Sequence, residues 1–253
     1  MGDVSIALRI SPRRALAVMA VLIAVLVVAS TAAVGALALF RWPEGSLGYE
    51  TVKVFWLDAE KNLPTLYQSL ALGIAAALMF AVPRVSPRLL PADRARWKVL
   101  AGVFVFMALD ENLRFHETLA DTSSFHFGAA GLAIYVPVVA LLALWWLPLL
   151  RRLDSRLRRL MLAAAVLYVG GAAGIESVSQ LYAGVAGKAT PLYVALATLE
   201  ETLEMAGVAV LVYALLDHLG IVQAAPSSPT VVDYARLAEP DVLRDRGRAD
   251  RMS

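Results

Sequence analysis

Cysteine is absent from this 253-residue chain, histidine occurs three times, and charged residues make up only 17% of it. The first absence excludes disulfides, thiolate metal sites and cysteine nucleophiles, and it leaves the redox compartment undetermined. Three imidazoles, His116, His126 and His218, are too few for a histidine-rich centre. The sequence also lacks an internal repeat of the kind that builds inverted-repeat transporters. It offers no feature that calls for a nucleic acid as partner.

What is present in excess is apolar surface. Hydrophobic residues make up 59% of the chain, against about 45–50% in soluble domains. The bilayer is therefore the expected partner. A helix needs roughly 20 mostly apolar residues to cross a hydrocarbon core, and such runs fall near 15–40, 64–82, 97–117, 130–150, 159–182 and 191–217. The fold class expected is all-α, a polytopic membrane protein built as a six-transmembrane-helix bundle. Arg9, Arg13 and Arg14 precede the first run like the basic region of a signal peptide, and Ser30 to Ala33 offer small residues. The run is far longer than the roughly 7–15 apolar residues of a signal peptide, so a span is expected there instead.

Basic residues orient the bundle. Arg84, Arg88, Arg94, Arg96 and Lys98 lie between runs two and three, and Arg151, Arg152, Arg156, Arg158 and Arg159 between runs four and five. The alternate connections hold only Arg41, Lys53, Lys61 and Lys188. Lysine and arginine accumulate in cytoplasmic loops, so both termini are expected in the cytoplasm. The aromatic pattern agrees, with Trp97, Trp145 and Trp146 expected at the inner boundary and Trp42 and Trp56 at the outer one. Residues 1–14 form a cytoplasmic N-terminus, 15–220 the membrane domain with an outer loop at 41–63, and 221–253 a disordered cytoplasmic tail. Within the outer loop, Thr51 to Trp56 alternate in polarity and suit a short strand or an interfacial helix.

Ionisable side chains inside spans are costly and mark function or pairing. Here they are many: Asp110, Glu111, Arg114, His116 and Glu117 in the third run, Glu176 in the fifth, and Glu200, Glu201 and Glu204 in the sixth. Asp58 and Glu60 stand just before the second. The orientation from the loops places all of these acids at compatible depth, in the outer half. At about 100° per residue, Asp110, Arg114 and Glu117 share a narrow face, with Glu111 a quarter-turn away. Glu200, Glu201 and Glu204 fit within one quadrant. Gly170, Gly171 and Gly174 make a small-residue surface on which another helix can approach closely.

Crowded carboxylates repel one another, and Arg114 is one charge against many. A bound divalent cation would relieve that repulsion, and carboxylates with one imidazole suit Ca²⁺, Mn²⁺, Fe²⁺ or Zn²⁺. Asp110, Glu111, His116, Glu117, Glu176, Glu200, Glu201 and Glu204 are the candidate metal ligands, with Arg114, Asp58 and Glu60 as further members of the polar site. No Glu-x-x-His di-iron signature is present, because Asn112 and Leu113 occupy the positions before His116. Metal-activated water attacking a lipid or envelope precursor is the reaction class such a site suits. A proton- or cation-coupled transporter, or a scaffold or sensor whose acids hold helices together, are the alternatives.

The combination Leu109-Asp110-Glu111 with His116-Glu117, followed by Glu200-Glu201-x-x-Glu204-Met205-x-Gly207, resembles a family of uncharacterised bacterial multi-pass membrane proteins. Glu60-x-Asn62-x-Pro64-Thr65 resembles part of the same pattern. Members often carry Ser before the Leu-Asp-Glu, where this chain has Ala108. The resemblance spans about 58–217 and implies a bacterial inner-membrane location. It implies that these acids belong together, and it brings no activity or cofactor.

Overall fold

The computed structural model describes residues 10–86, 89–113 and 129–224, without the side chains of 129–136 and 221–224. Among the described residues every regular element is helical: α1 (Pro12–Phe40), α2 (Leu47–Phe55), α3 (Leu63–Val85), α4 (Pro91–Leu113), α5 (Ala129–Arg152), α6 (Ser155–Ala186) and α7 (Pro191–Ala224). Four segments, Pro12–Phe40, Leu63–Val85, Ser155–Ala186 and Pro191–Gly220, are long and apolar enough to cross a membrane. Helices α4 and α5 have spanning length at 23 and 24 residues. The first turns of α4 carry Asp93, Arg94, Arg96 and Lys98. Of the tail expected as disordered at 221–253, residues 221–224 continue the last helix and 225–253 lie outside the described residues.

Local sequence sets the helix ends. Pro12 follows the N-cap Ser11, Arg41 closes α1 in the left-handed conformation (φ 52°), and Asp154 caps α6 by accepting from the N–H groups of Arg156 and Leu157. The alternating stretch in the outer loop belongs to a helix, since Ser46 caps α2 by accepting from Tyr49 N–H. Its buried residue is Val52, and Gly48 lies so close under the Trp42 ring that a β carbon would collide with it.

Helix α7 is the axis of the bundle, with α1, α3 and α6 packed along it, while α3 also runs along α4. The main core joins Leu72, Ala75 and Met79 of α3, Trp97 and Ala101 of α4, Leu149 of α5, Met161 of α6 and Leu211 and Leu215 of α7. Trp97 and Trp146 meet edge to face, 5.6 Å between centroids, and both are buried. These two indoles therefore fill the α4–α5 crossing and do not line an interface. Trp145 is exposed, with the Arg96 guanidinium 5.7 Å from its ring. Asp93 is 3% exposed and binds Arg96 at 2.7 Å and Arg152 at 2.9 Å, so that one carboxylate clasps α4 to α5. Arg156 clasps α6 to α7 through Asp217 at 2.8 Å and the Tyr213 hydroxyl at 2.9 Å.

Helices α6 and α7 approach closely at two glycines. A β carbon on Gly171 would sit 2.8 Å from the Glu200 carbonyl oxygen and 3.1 Å from Glu204 Cγ. Opposite, one on Gly207 would sit 2.8 Å from the Tyr168 nitrogen and 2.9 Å from the Ala164 carbonyl. Gly170 and Gly174, the pair with Gly-x-x-x-Gly spacing, have open space instead. The helix widens into a π turn over Gly170–Ile175 at this point. Such turns change the phase of a helix face and are frequent at functional sites. Gly171→Ala is expected to lower the thermal stability of the detergent-solubilised protein by about 1–3 kcal/mol through overpacking. Gly174→Ala, on the open side, should leave the melting temperature unchanged or higher, and equal losses for the two would refute this packing.

Candidate functional site

The end of the bundle carrying residues 56–62 and the 187–190 turn collects the acids. Asn62 organises this end. Its side-chain oxygen caps α3 by accepting from Thr65 N–H at 3.0 Å and from the Thr65 hydroxyl at 2.9 Å. Its amide nitrogen donates to the carbonyls of Trp56 at 2.6 Å and Ala59 at 2.7 Å. Lys61 takes a positive φ of 55° to make this turn. The Asn-x-Pro-Thr spacing is thus a helix start that folds the preceding loop over itself. Leu57 N–H donates to Ser30 Oγ at 3.0 Å, which anchors the loop on α1. Ser30, the apolar run's one buried hydroxyl, is spent on that anchor.

Asp58 sits on this loop as an exposed residue, in a surface depression of about 500 Å³ shared with Glu50, Lys53, Glu60, Lys61 and Asn62. The Tyr193 hydroxyl donates to its carboxylate at 3.4 Å. Crowding by the surrounding protein pushes the Asp58 carboxyl above its ordinary value, while the positive charge of Lys188 and the Tyr193 hydrogen bond pull it back.

Below that rim lie the acids of α4, α6 and α7. Glu176 is the strongest charged neighbour of Glu200, with Asp58 and Lys188 acting more weakly. Glu111 is the strongest charged neighbour of Glu201, and Glu204 feels Glu201 first and Glu111 next. Ser179 Oγ lies 2.9 Å from the Glu176 carbonyl and 3.2 Å from Glu200 Oε2, so its single proton serves both. The Tyr168 hydroxyl hydrogen-bonds Glu204. Glu111, Glu200, Glu201 and Glu204 are half-buried, while Glu176 is exposed beside them.

The structure thus brings five of the expected ligands, Glu111, Glu176, Glu200, Glu201 and Glu204, into mutual electrostatic reach, with Asp58 at the rim. In α4, Glu111 is the acid that acts on α7; Asp110, also half-buried, makes an interaction of its own. Glu60 is half-buried beside Asp58 and is likewise engaged. Arg114, His116 and Glu117 lie outside the described residues, as does His126. Among the described residues no three acids or histidines converge closely enough to hold a metal ion. His218 belongs to the far end, 3.9 Å from Asp154.

Sequence reading overlooked the neutral partners Tyr168, Ser179 and Tyr193, and counted Lys188 only as a loop charge. A helical wheel places Tyr168 one turn before Gly171, on the face that meets α7. Ser179 stands one turn after Glu176. Both were accessible signals.

The chain belongs to the family described as Domain of unknown function (DUF8692), whose model matches residues 15–219. No curated protein and no solved structure matches it.

Because the Asp58 pKa is raised on folding, its contribution to stability is complete below its ordinary value of 3.8. That contribution is lost as pH rises through the folded-state value. The melting temperature of the wild-type protein is therefore expected to fall with rising pH above about pH 4 more steeply than that of Asp58→Asn. Parallel profiles would show that burial does not act on this carboxyl.

Proposed function

We propose that this is a six-span membrane protein whose acidic end is a cation-binding centre opening to the outer side, with a divalent metal as its occupant. The observation that carries this reading is the gathering of acids from three helices at one end of the bundle. Glu111, Glu201 and Glu204 act on one another, Glu176 acts on Glu200, and Lys188 at the rim reaches Glu200. Charges of one sign at this density in a low-dielectric bundle are unfavourable unless a cation shares them. Oxygen donors in this number suit a hard or borderline divalent ion. Glu111 on one side and Glu201 and Glu204 on the other are the proposed inner ligands, with Glu176 and Glu200 nearer the rim. His116 and Glu117 complete the donor set in this reading. A metal here would lower the pKa of a bound water and supply a nucleophile for a lipid or small-molecule substrate.

A second reading has its own support. Because no three donors converge among the described residues, and because Tyr168 and Ser179 offer hydroxyls to Glu204 and Glu200, protons are an alternative occupant. The site would then belong to a proton-coupled transporter.

Elemental analysis of the detergent-purified full chain separates the two. Near-stoichiometric divalent metal in the wild type, lost in Glu204→Ala and reduced in Glu176→Ala, is the expected result. Metal-free protein that moves protons across liposome membranes would establish the second reading, and metal-free protein without proton flux would leave the acids a structural role.

The six spans and their direction are tested separately, using the chain's natural lack of cysteine. Ser46→Cys is expected to react with a membrane-impermeant maleimide applied to intact host cells, and Ser155→Cys only after lysis. The reverse pattern, or labelling of both in intact cells, would overturn the proposed topology.

A further inference from the structure

One side chain beside the cluster has no use in the account so far. Gln68, on α3, is 2% exposed, and neither its amide nitrogen nor its amide oxygen has a hydrogen-bond partner among the described residues. A buried amide with both ends unmet is strongly unfavourable, which is why such groups are rare in native structures. The indole nitrogens of Trp97 and Trp146 are also unpartnered, but each is a single donor on a ring that fills the core. Gln68 has no such packing role that a leucine or methionine could not fill better.

The neighbours of Gln68 fix its direction. Tyr67 packs against the cluster of Ile23, Leu57, Met205 and Ala209, the last two from α7. Ser69 donates its hydroxyl to the Ala108 carbonyl of α4 at 2.6 Å. Gln68 continues the buried α3 stripe of Ala71, Leu72, Ala75 and Met79, whose cluster joins Trp97 and Ala101 of α4 to Leu211 and Leu215 of α7, so it points into the wedge between α4 and α7. The depth agrees as well, since Met205 directly follows Glu204, and Glu111 lies one turn beyond Ala108. Glu111, Glu201 and Glu204 act on one another across that same wedge. The buried amide therefore faces the acids from the third side.

We infer that Gln68 is the α3 member of the cation centre, its amide oxygen a ligand to a hard divalent cation and its amide nitrogen a donor to a carboxylate of α4 or α7. This rests on the cation-binding reading. Amide oxygens are ordinary ligands of such ions, and a neutral one adds a donor without adding to the repulsion among the acids. The pairing also explains why a polar residue stands in the apolar face formed by Ala71, Leu72, Ala75 and Met79.

Mn²⁺ binding to the purified full chain, followed by electron paramagnetic resonance, tests the assignment. Gln68→Met, of similar volume but without the amide, should weaken Mn²⁺ binding at least about tenfold while the metal-free protein melts at the same temperature or higher. Gln68→Glu should retain tight binding. Wild-type affinity in Gln68→Met would overturn the assignment and leave the cation centre intact, whereas a wild type that binds no Mn²⁺, Ca²⁺, Zn²⁺ or Fe²⁺ would overturn both. If Gln68→Met does not fold, Gln68→Asn decides: it withdraws the amide by one methylene and is expected to lower Mn²⁺ affinity, and unchanged affinity would reject the ligand.

Discussion

Helices α6 and α7 approach until Gly171 and Gly207 have no room for side chains, and the acidic end depends on that contact. Glu200 and Glu204 lie on the α7 surface that Gly171 touches. Tyr168, one turn away on α6, reaches Glu204 with its hydroxyl, and the π turn that begins at Gly170 leads into Glu176 and Ser179 beside Glu200. A bulkier residue at either glycine would push the backbones apart. The hydroxyls of α6 would then lose their carboxylates on α7. Close approach of small residues is a common basis of helix association in bilayers, and here it also sets the spacing of charged groups.

The helices are legible from the sequence, because long apolar runs report directly on helices of spanning length. The acids were legible for a similar reason, since charges in apolar runs are conspicuous. The contact geometry was not. Gly170 and Gly174 have the spacing associated with helix pairing, yet Gly171 is the residue in contact, because it continues the face on which Ala164 and Tyr168 meet α7. On the α4 wheel Asp110 shares a face with Arg114 and Glu117, and Glu111, a quarter-turn away, acts on Glu201 and Glu204 of α7. Which quadrant of a helix faces inward depends on neighbours that no single run encodes. Trp97 and Trp146 show the same limit: position near the end of a run suggests an interface, but packing between α4 and α5 buries both. Neutral partners such as Tyr168 and Gln68 carry no charge to draw notice.

The two ends of the bundle solve the problem of carboxylates in opposite ways. At the arginine-rich end, Asp93 is matched by Arg96 and Arg152, and Asp217 by Arg156. Each acid there has a fixed cation within hydrogen-bond distance, and its role is to tie helices together. At the other end hydroxyls reach three of the acids, from Ser179 to Glu200, Tyr168 to Glu204 and Tyr193 to Asp58. Hydroxyls orient a carboxylate without neutralising it.

That contrast bears on whether the acids are merely struts. A chain that pairs buried Asp93 with arginine can evidently build permanent ion pairs where it needs them. The position on α3 that faces the wedge is occupied by Gln68, an amide that both donates and accepts but brings no charge. On α6 the residues against Glu204 are Gly171 and Tyr168, neither of them charged. Neutral side chains on α3 and α6 that donate or accept without bringing charge suit a site whose occupant arrives and leaves, which is the physical basis of the proposed cation centre.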